Sequence, residues 1–140
     1  MRVYVSGTWT ERGRLRLMAE RLRMLGHEVV STWLDEQDRP EWMPEGKWQE
    51  RLAAKDVAEV CQADAIILDV DGRSTTGGRY VEWGVACHPR ALILRVVVGR
   101  LPDTDIFGKL ADHHYRDWNV ALNSPVFNPQ NVPEPVHAAD

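Results

Sequence analysis

The residues best suited to chemistry lie between Ser74 and Ala86, in the stretch STTGGRYVEWGVA. Three hydroxyl side chains and a glycine pair lead into a helical pattern whose first turn is expected to carry an acid, Glu82. The partial positive charge at a helix start favours an ionised carboxylate, which is the form a nucleophile needs. Val85 and Ala86 lie one turn on and direct that face toward a sheet, whereas a surface glutamate would sit on the other face. An acid that only complements the helix dipole accounts for the same position, so both readings stand here.

A second acid, Asp56, has Leu52, Ala53 and Val60 as its helical neighbours. A carboxylate in an apolar stripe is costly unless it is paired or working. The plain alternative is an acid at the edge of the stripe, or one capping a nearby loop. Gly77 and Gly78 allow close backbone approach, and their N–H groups suit an anion, with Ser74, Thr75 and Thr76 adding hydroxyls. The loop is neither a Walker loop nor a dinucleotide fingerprint, since it has no Gly-Lys-Ser/Thr and no G-x-G-x-x-G. Asp69 and Asp71 end an apolar run, where they would bind a metal or a ribose hydroxyl, or simply terminate a strand. Asp112, His113 and His114 resemble a metal triplet, but neighbours on a strand point to opposite faces and no upstream cluster completes a site. No metal is expected. Trp9, Trp33, Trp42 and Trp48 fall in or beside predicted loops, where an aromatic face suits stacking on a base.

The elements that must position these groups follow from periodicity. Arg2 to Gly7 reads as a buried strand ending in a tight loop. Leu15, Met18, Ala19, Leu22 and Leu25 then recur at helical spacing, with Gly26 as the stop. His27 to Trp33 reads as a second strand, and Leu34 to Gly46, with Pro40 and Pro44, as a long loop. A helix over residues 47–62 leads to the clearest buried strand, Ala63 to Val70. After the glycine loop and its helix come a strand over Ala91 to Gly99, a short helix over Ile106 to Ala111 and an edge strand over His113 to Trp118. Strand, helix, strand at the start is the signature of a parallel sheet with right-handed crossovers. The expected fold is a doubly wound, flavodoxin/Rossmann-like α/β domain with about five mostly parallel strands. Ligands in such sheets bind beyond the carboxyl ends of the strands at the topological switch point. The loops after residues 6, 33 and 69 meet there.

The 140 residues suit one domain, expected over 1–122, and the four prolines after Asn123 predict an extended arm or disordered tail over 123–140. Apolar residues make up 44% and charged residues 27%, a globular balance. A net charge of −4 argues against binding the nucleic-acid backbone. Arg12, Arg14, Arg16, Arg21 and Arg23 read as the solvated face of a helix, with a small anion site as the minority reading. No apolar run is long enough to span a bilayer, and the first residues read as a strand rather than a signal peptide. Cys61 and Cys87, in apolar patterns, are expected as buried free thiols. A cytoplasmic protein is the expectation.

Together, the opening strand, Asp56 late in its helix, ADAIILDVDG and the glycine loop before Glu82-Trp83-Gly84-Val85-Ala86 resemble the nucleoside 2-deoxyribosyltransferase superfamily, which includes 2′-deoxynucleoside 5′-monophosphate N-glycosidases. The resemblance spans residues 3–107. Trp83 stands where the family has leucine, and the loop SGTWTERG lacks the family's more usual residues after its glycine. The resemblance implies that Glu82 attacks the anomeric carbon of a 2′-deoxyribosyl group. The base leaves, and water or a second base takes the sugar with retention. Asp56 is then the candidate acid for the departing base, with no metal or organic cofactor. Ser6, Gly77, Gly78 and Thr76 would hold the 5′ end, with Tyr80 at its border. Gly7, Thr8, Trp9, Trp33 and Asp69 complete the expected substrate-binding set. Thr76 falls where monophosphate-acting members carry a phosphate-contacting serine. The implied partner is a small-molecule nucleoside or nucleotide, on a homo-oligomer. Competing readings are a nucleotide-binding or sensing module without catalysis, and a structural domain in which Glu82 serves the helix dipole.

Overall fold

A computed structural model describes residues 1–72 and 77–132 of the chain. Five strands form one all-parallel sheet: β1 (Arg2–Ser6), β2 (Glu28–Val29), β3 (Ala65–Asp69), β4 (Leu94–Val98) and β5 (His113–Tyr115). Their order is β2-β1-β3-β4-β5. The doubly wound α/β class expected from the sequence is the fold observed. In register, Val3 to Ser6 face Ala65 to Leu68, and Ala65 to Asp69 face Leu94 to Val98. Every residue of β3 is buried, which is why Ala65 to Leu68 read as an unbroken apolar run.

Helices cover both faces. Helix α1 (Arg12–Met24) packs with α4 (Trp118–Asn123), and α2 (Glu45–Gln62) packs with α3 (Gly78–Ala86) and β1. Leu15, Ala19 and Leu22 are the buried face of α1, and the chain leaves it through Gly26 at φ 92°. The strand order reverses between β1 and β3, so the loops after Ser6 and Asp69 diverge and open the crevice between them.

Three elements differ from expectation. The second strand is two residues long rather than seven, because side chains take over its ladder. Ser31 Oγ accepts from Val5 N at 3.0 Å, and Trp33 Nε1 donates to Val5 O at 2.7 Å. The chain is thereby released into a 3-10 turn over Thr32–Asp35. The last strand stops at Tyr115, and Asp117 caps α4 by accepting from Val120 N at 2.8 Å. The expected arm beyond Asn123 begins instead as part of the core. Phe127 is fully buried and meets His27 edge-on at 5.8 Å, and His27 Nε2 lies 2.7 Å from Phe127 O. Residues 133–140 of that tail lie outside the described residues.

Cys61 is exposed and Cys87 half-buried, so the thiols are free, but Cys61 is not buried as expected. No helix among the described residues is long and apolar enough to cross a membrane.

Candidate active site

The alternation of β1 decides which side chains reach the crevice. Val3 and Val5 point to one face, and Tyr4 and Ser6 to the other, where α2 and α3 lie. Helix α3 starts from Gly77, whose left-handed φ of 68° is open to glycine at little cost. Four residues into the helix, Glu82 meets the end of β1. Ser6 Oγ donates to Glu82 Oε2 at 2.7 Å, and Ser6 itself is fully buried.

Burial pushes the Glu82 carboxyl up to about 7. The hydroxyl of Ser6 pulls it down, and the charge of Asp56 pushes it up. Tyr4 lies on the same side. Its buried hydroxyl makes no hydrogen bond of good geometry but is near enough to Glu82 to lower the pKa of that carboxyl, and burial followed by the charges of Glu82 and Asp56 raises its own pKa. Asp56 reaches this group from α2. Burial raises its carboxyl to about 6, Lys55 opposes that rise, and Glu59 and Glu36 add to it. The charge of Asp56 thus reaches Glu82, while the rise of Asp56 itself comes from burial, Glu59 and Glu36.

The surroundings of Asp56 are not those expected. The inward side of α2 is Trp48, Leu52, Lys55, Asp56, Glu59 and Val60, while Ala53 is exposed. Lys55 pairs with Glu36, and Glu59 accepts from Thr32 N at 3.1 Å and Thr32 Oγ1 at 2.7 Å. The neighbours of Asp56 are therefore engaged with the segment after β2, while its own Oδ1 is buried without a partner.

Other expected site residues have different work. Asp69, fully buried, was expected to bind substrate. Arg14 grips both its oxygens at 2.9 Å, Trp118 Nε1 donates to Oδ2 at 2.6 Å, and Asp71 N donates to Oδ1 at 3.1 Å. Its acceptor positions are taken up by the fold, and Arg14 is a clamp rather than part of a solvated face. Gly7 lets β1 end against α1, since a Cβ there would lie 2.5 Å from Leu15 Cδ1. Trp33 is buried and bonded to β1, whereas Trp9 is 57% exposed, with its ring 6.4 Å from Trp33 and the Arg12 guanidinium 4.0 Å from its centroid. Of the four tryptophans singled out in the sequence, Trp9 and Trp42 are exposed, Trp48 is half-buried on α2 and Trp33 is buried. Tyr80 donates to Asp105, tying α3 to the loop after β4. Gly78 begins α3, and Thr76 lies outside the described residues with Ser74 and Thr75.

Thr8 Oγ1 and Arg79 Nε are also buried without partners. Arg79 Nη1 donates to Asp69 O at 3.1 Å, holding the loop after β3. Tyr4, Thr8, Asp56 and Arg79 thus supply every buried, unpartnered side-chain polar atom found among the described residues. All four belong to the elements that border the β1–β3 crevice. Sequence reasoning missed Tyr4 and Arg79. For Tyr4 the signal was a phenol inside an aliphatic strand, which must place its hydroxyl somewhere. No group of three or more potential metal ligands occurs among the described residues.

Comparison of the sequence with protein-family models and with curated proteins finds no match. Among solved structures, the chain is similar to a 2-deoxyribosyltransferase from the psychrotolerant bacterium Bacillus psychrosaccharolyticus. That match has a TM-score of 0.68 at 17% identity, over 89% of this chain and 92% of that one. It is more loosely similar to a CMP N-glycosidase of Clostridium botulinum, with a TM-score of 0.49 at 18% identity, over 82% and 87% of the two chains. The resemblance read from short motifs therefore extends to the fold of nearly the whole chain.

Proposed function

We propose that this protein is an enzyme that cleaves the N-glycosidic bond of 2′-deoxynucleosides or their 5′-monophosphates, passing the sugar to a second base or to water. The observation that carries this reading is the buried Glu82 carboxyl held by Ser6 at the switch point of the sheet, with Asp56, whose Oδ1 is buried and unpartnered, acting on it from α2. Unsatisfied buried groups are costly, and they persist where a ligand or a reaction uses them. The charge that Asp56 exerts on Glu82, and a fold shared with a 2-deoxyribosyltransferase, support the same chemistry.

In this reading Glu82 attacks the anomeric carbon in its ionised form, and the C1′–N bond breaks with its electron pair going to the base. Asp56, in its protonated form, supplies the proton the departing base needs. Water or a second base then attacks the glycosyl ester from the same face, and the Glu82 carboxylate is restored. The transition state has oxocarbenium character, which the missing 2′-hydroxyl makes easier to reach, so the step draws on no metal or organic cofactor. Trp9 is the surface on which a base would stack, and Gly77 and Gly78, with Thr76, would receive the 5′ end. The reading includes a cytoplasmic homo-oligomer. Its assembly is supported by the exposed apolar stripe of Ala53, Val57 and Cys61 on α2 beside Val81 on α3.

The test is chromatographic detection of free base from a panel of deoxynucleosides and 5′-monophosphates, with and without an acceptor base. Release without an acceptor is expected of a hydrolase, and a new nucleoside only with an acceptor is expected of a transferase. Glu82→Gln is expected to lower either rate by about three orders of magnitude or more while keeping the fold. Undiminished rates in that variant would remove Glu82 as nucleophile. Absence of release from every substrate would favour a binding module.

A further inference from the structure

The hydroxyl of Ser6 has one proton and two acceptors within reach. Glu82 Oε2 lies at 2.7 Å and the Arg79 carbonyl oxygen at 3.2 Å. Ser6 is fully buried at the end of β1, so water does not compete for that proton. A carboxylate is the stronger acceptor and is also the nearer one, so the proton lies on Glu82 while Glu82 is ionised. We propose that Ser6 is a positioning residue for Glu82: its hydroxyl tethers Oε2, leaves Oε1 as the attacking oxygen, and turns to the Arg79 carbonyl while the glycosyl ester exists. This rests on the function proposed above and deepens it. It also replaces the expectation that Ser6 grips the 5′ end of the substrate.

The sequence of events balances without Ser6 losing its proton. A lone pair of Oε1 forms the bond to C1′ as the C1′–N pair leaves with the base. Oε2 then becomes the carbonyl oxygen of a neutral ester, a weaker acceptor than a carboxylate. The Arg79 carbonyl, part of α3 and unchanged throughout, becomes a competitive partner for the hydroxyl. When the acceptor attacks C1′ and the C1′–Oε1 pair returns to Glu82, negative charge grows again on the carboxylate. The hydroxyl swings back as that charge develops. One rotor therefore assists bond formation and bond cleavage, because both transition states carry charge on Glu82.

The groups acting on Glu82 explain why such a donor matters. From β1 come the neutral hydroxyls of Ser6 and Tyr4, and from α2 come two further acids, Asp56 and Glu59. On α3 itself, Arg79 Nη1 is directed to the carbonyls of Asp69, Asp71 and Gly72. Ser6 holds the carboxylate with a hydrogen bond of 2.7 Å and the Tyr4 hydroxyl also lowers the Glu82 pKa, while burial and the acids of α2 oppose its charge.

The experiment compares the wild type with Ser6→Ala and with Ser6→Cys, which preserves volume but is a weak donor. Glu82 is followed by carbon-detected NMR of its carboxyl through a pH titration without substrate. Base release is followed as kcat and KM against pH. In Ser6→Ala, the Glu82 titration is expected to move to higher pH, and the maximum of the kcat/KM profile to move up with it. At the optimum, kcat should fall about 10- to 100-fold with KM changed less than about threefold. Ser6→Cys should lie between wild type and Ser6→Ala, which also keeps the test valid if alanine disturbs the fold. An unmoved titration in both variants would overturn the proposal. So would a rise in KM alone, which would return Ser6 to substrate binding. A wild type that releases no base defeats the proposed function and the attack step together, while the titration still reports on the Ser6–Glu82 contact.

Discussion

At the scale of single residues, the proposed reaction divides its proton work between two carboxyl groups. In that reading Glu82 attacks in its ionised form, a state favoured as pH climbs through about 7. Asp56 helps the base leave in its protonated form, a state lost as pH climbs through about 6. The two groups interact, so the limbs of the profile belong to the pair. The higher value is that of Glu82. A bell-shaped kcat/KM profile with its maximum between pH 6 and 7 is expected. Asp56→Asn should lose the alkaline limb and about two to four orders of magnitude in rate, less for substrates whose base leaves without protonation. A profile that stays flat from pH 5 to 8 would contradict this division of roles. Glu82 and Asp56 were legible in the sequence as acids on inward helical faces. The roles of Tyr4 and Ser6 were not, because only the pairing of β1 with β3 and the packing of α3 bring their hydroxyls to Glu82.

At the scale of elements, the crevice is held open by ties between loops rather than by the loops themselves. Asp69 at the end of β3 is joined to α1 through Arg14 and to α4 through Trp118. A short sequence window shows an aspartate after an apolar strand, which suits a ligand as well as a clamp. Its partners lie 55 and 49 residues away, so the choice between the two was not legible. Asp69→Ala would leave the buried Trp118 N–H and the Asp71 N–H without their acceptor. It is expected to cost about 2–4 kcal/mol in urea unfolding, with KM of the remaining folded protein little changed. Intact stability with a tenfold rise in KM would return Asp69 to substrate binding. The short β2 has the same explanation. Its β-branched run predicts a longer strand, and only Ser31 and Trp33, reaching back to Val5, end it early.

At the scale of the whole molecule, the parallel α/β class was the most legible feature. Buried parallel strands carry their signal locally, and their alternation with helices points to crossover connections. The tail was the least legible, because four prolines and an absence of basic residues outweighed one phenylalanine. Phe127 nevertheless sits in the core against His27. Phe127→Ala is expected to destabilise the protein by about 3–5 kcal/mol. A loss below about 1 kcal/mol would mean that the segment after Asn123 is separable from the domain.

The central claim is that Glu82 carries the sugar between the two halves of the reaction. The most direct measurement is intact mass after rapid acid quench of the protein mixed with the substrates that release base, followed by peptide mapping. The account predicts a transient gain of one deoxyribosyl group, located on Glu82 and absent from Glu82→Gln. Base release with the adduct on another residue, or with none at any quench time, would contradict it.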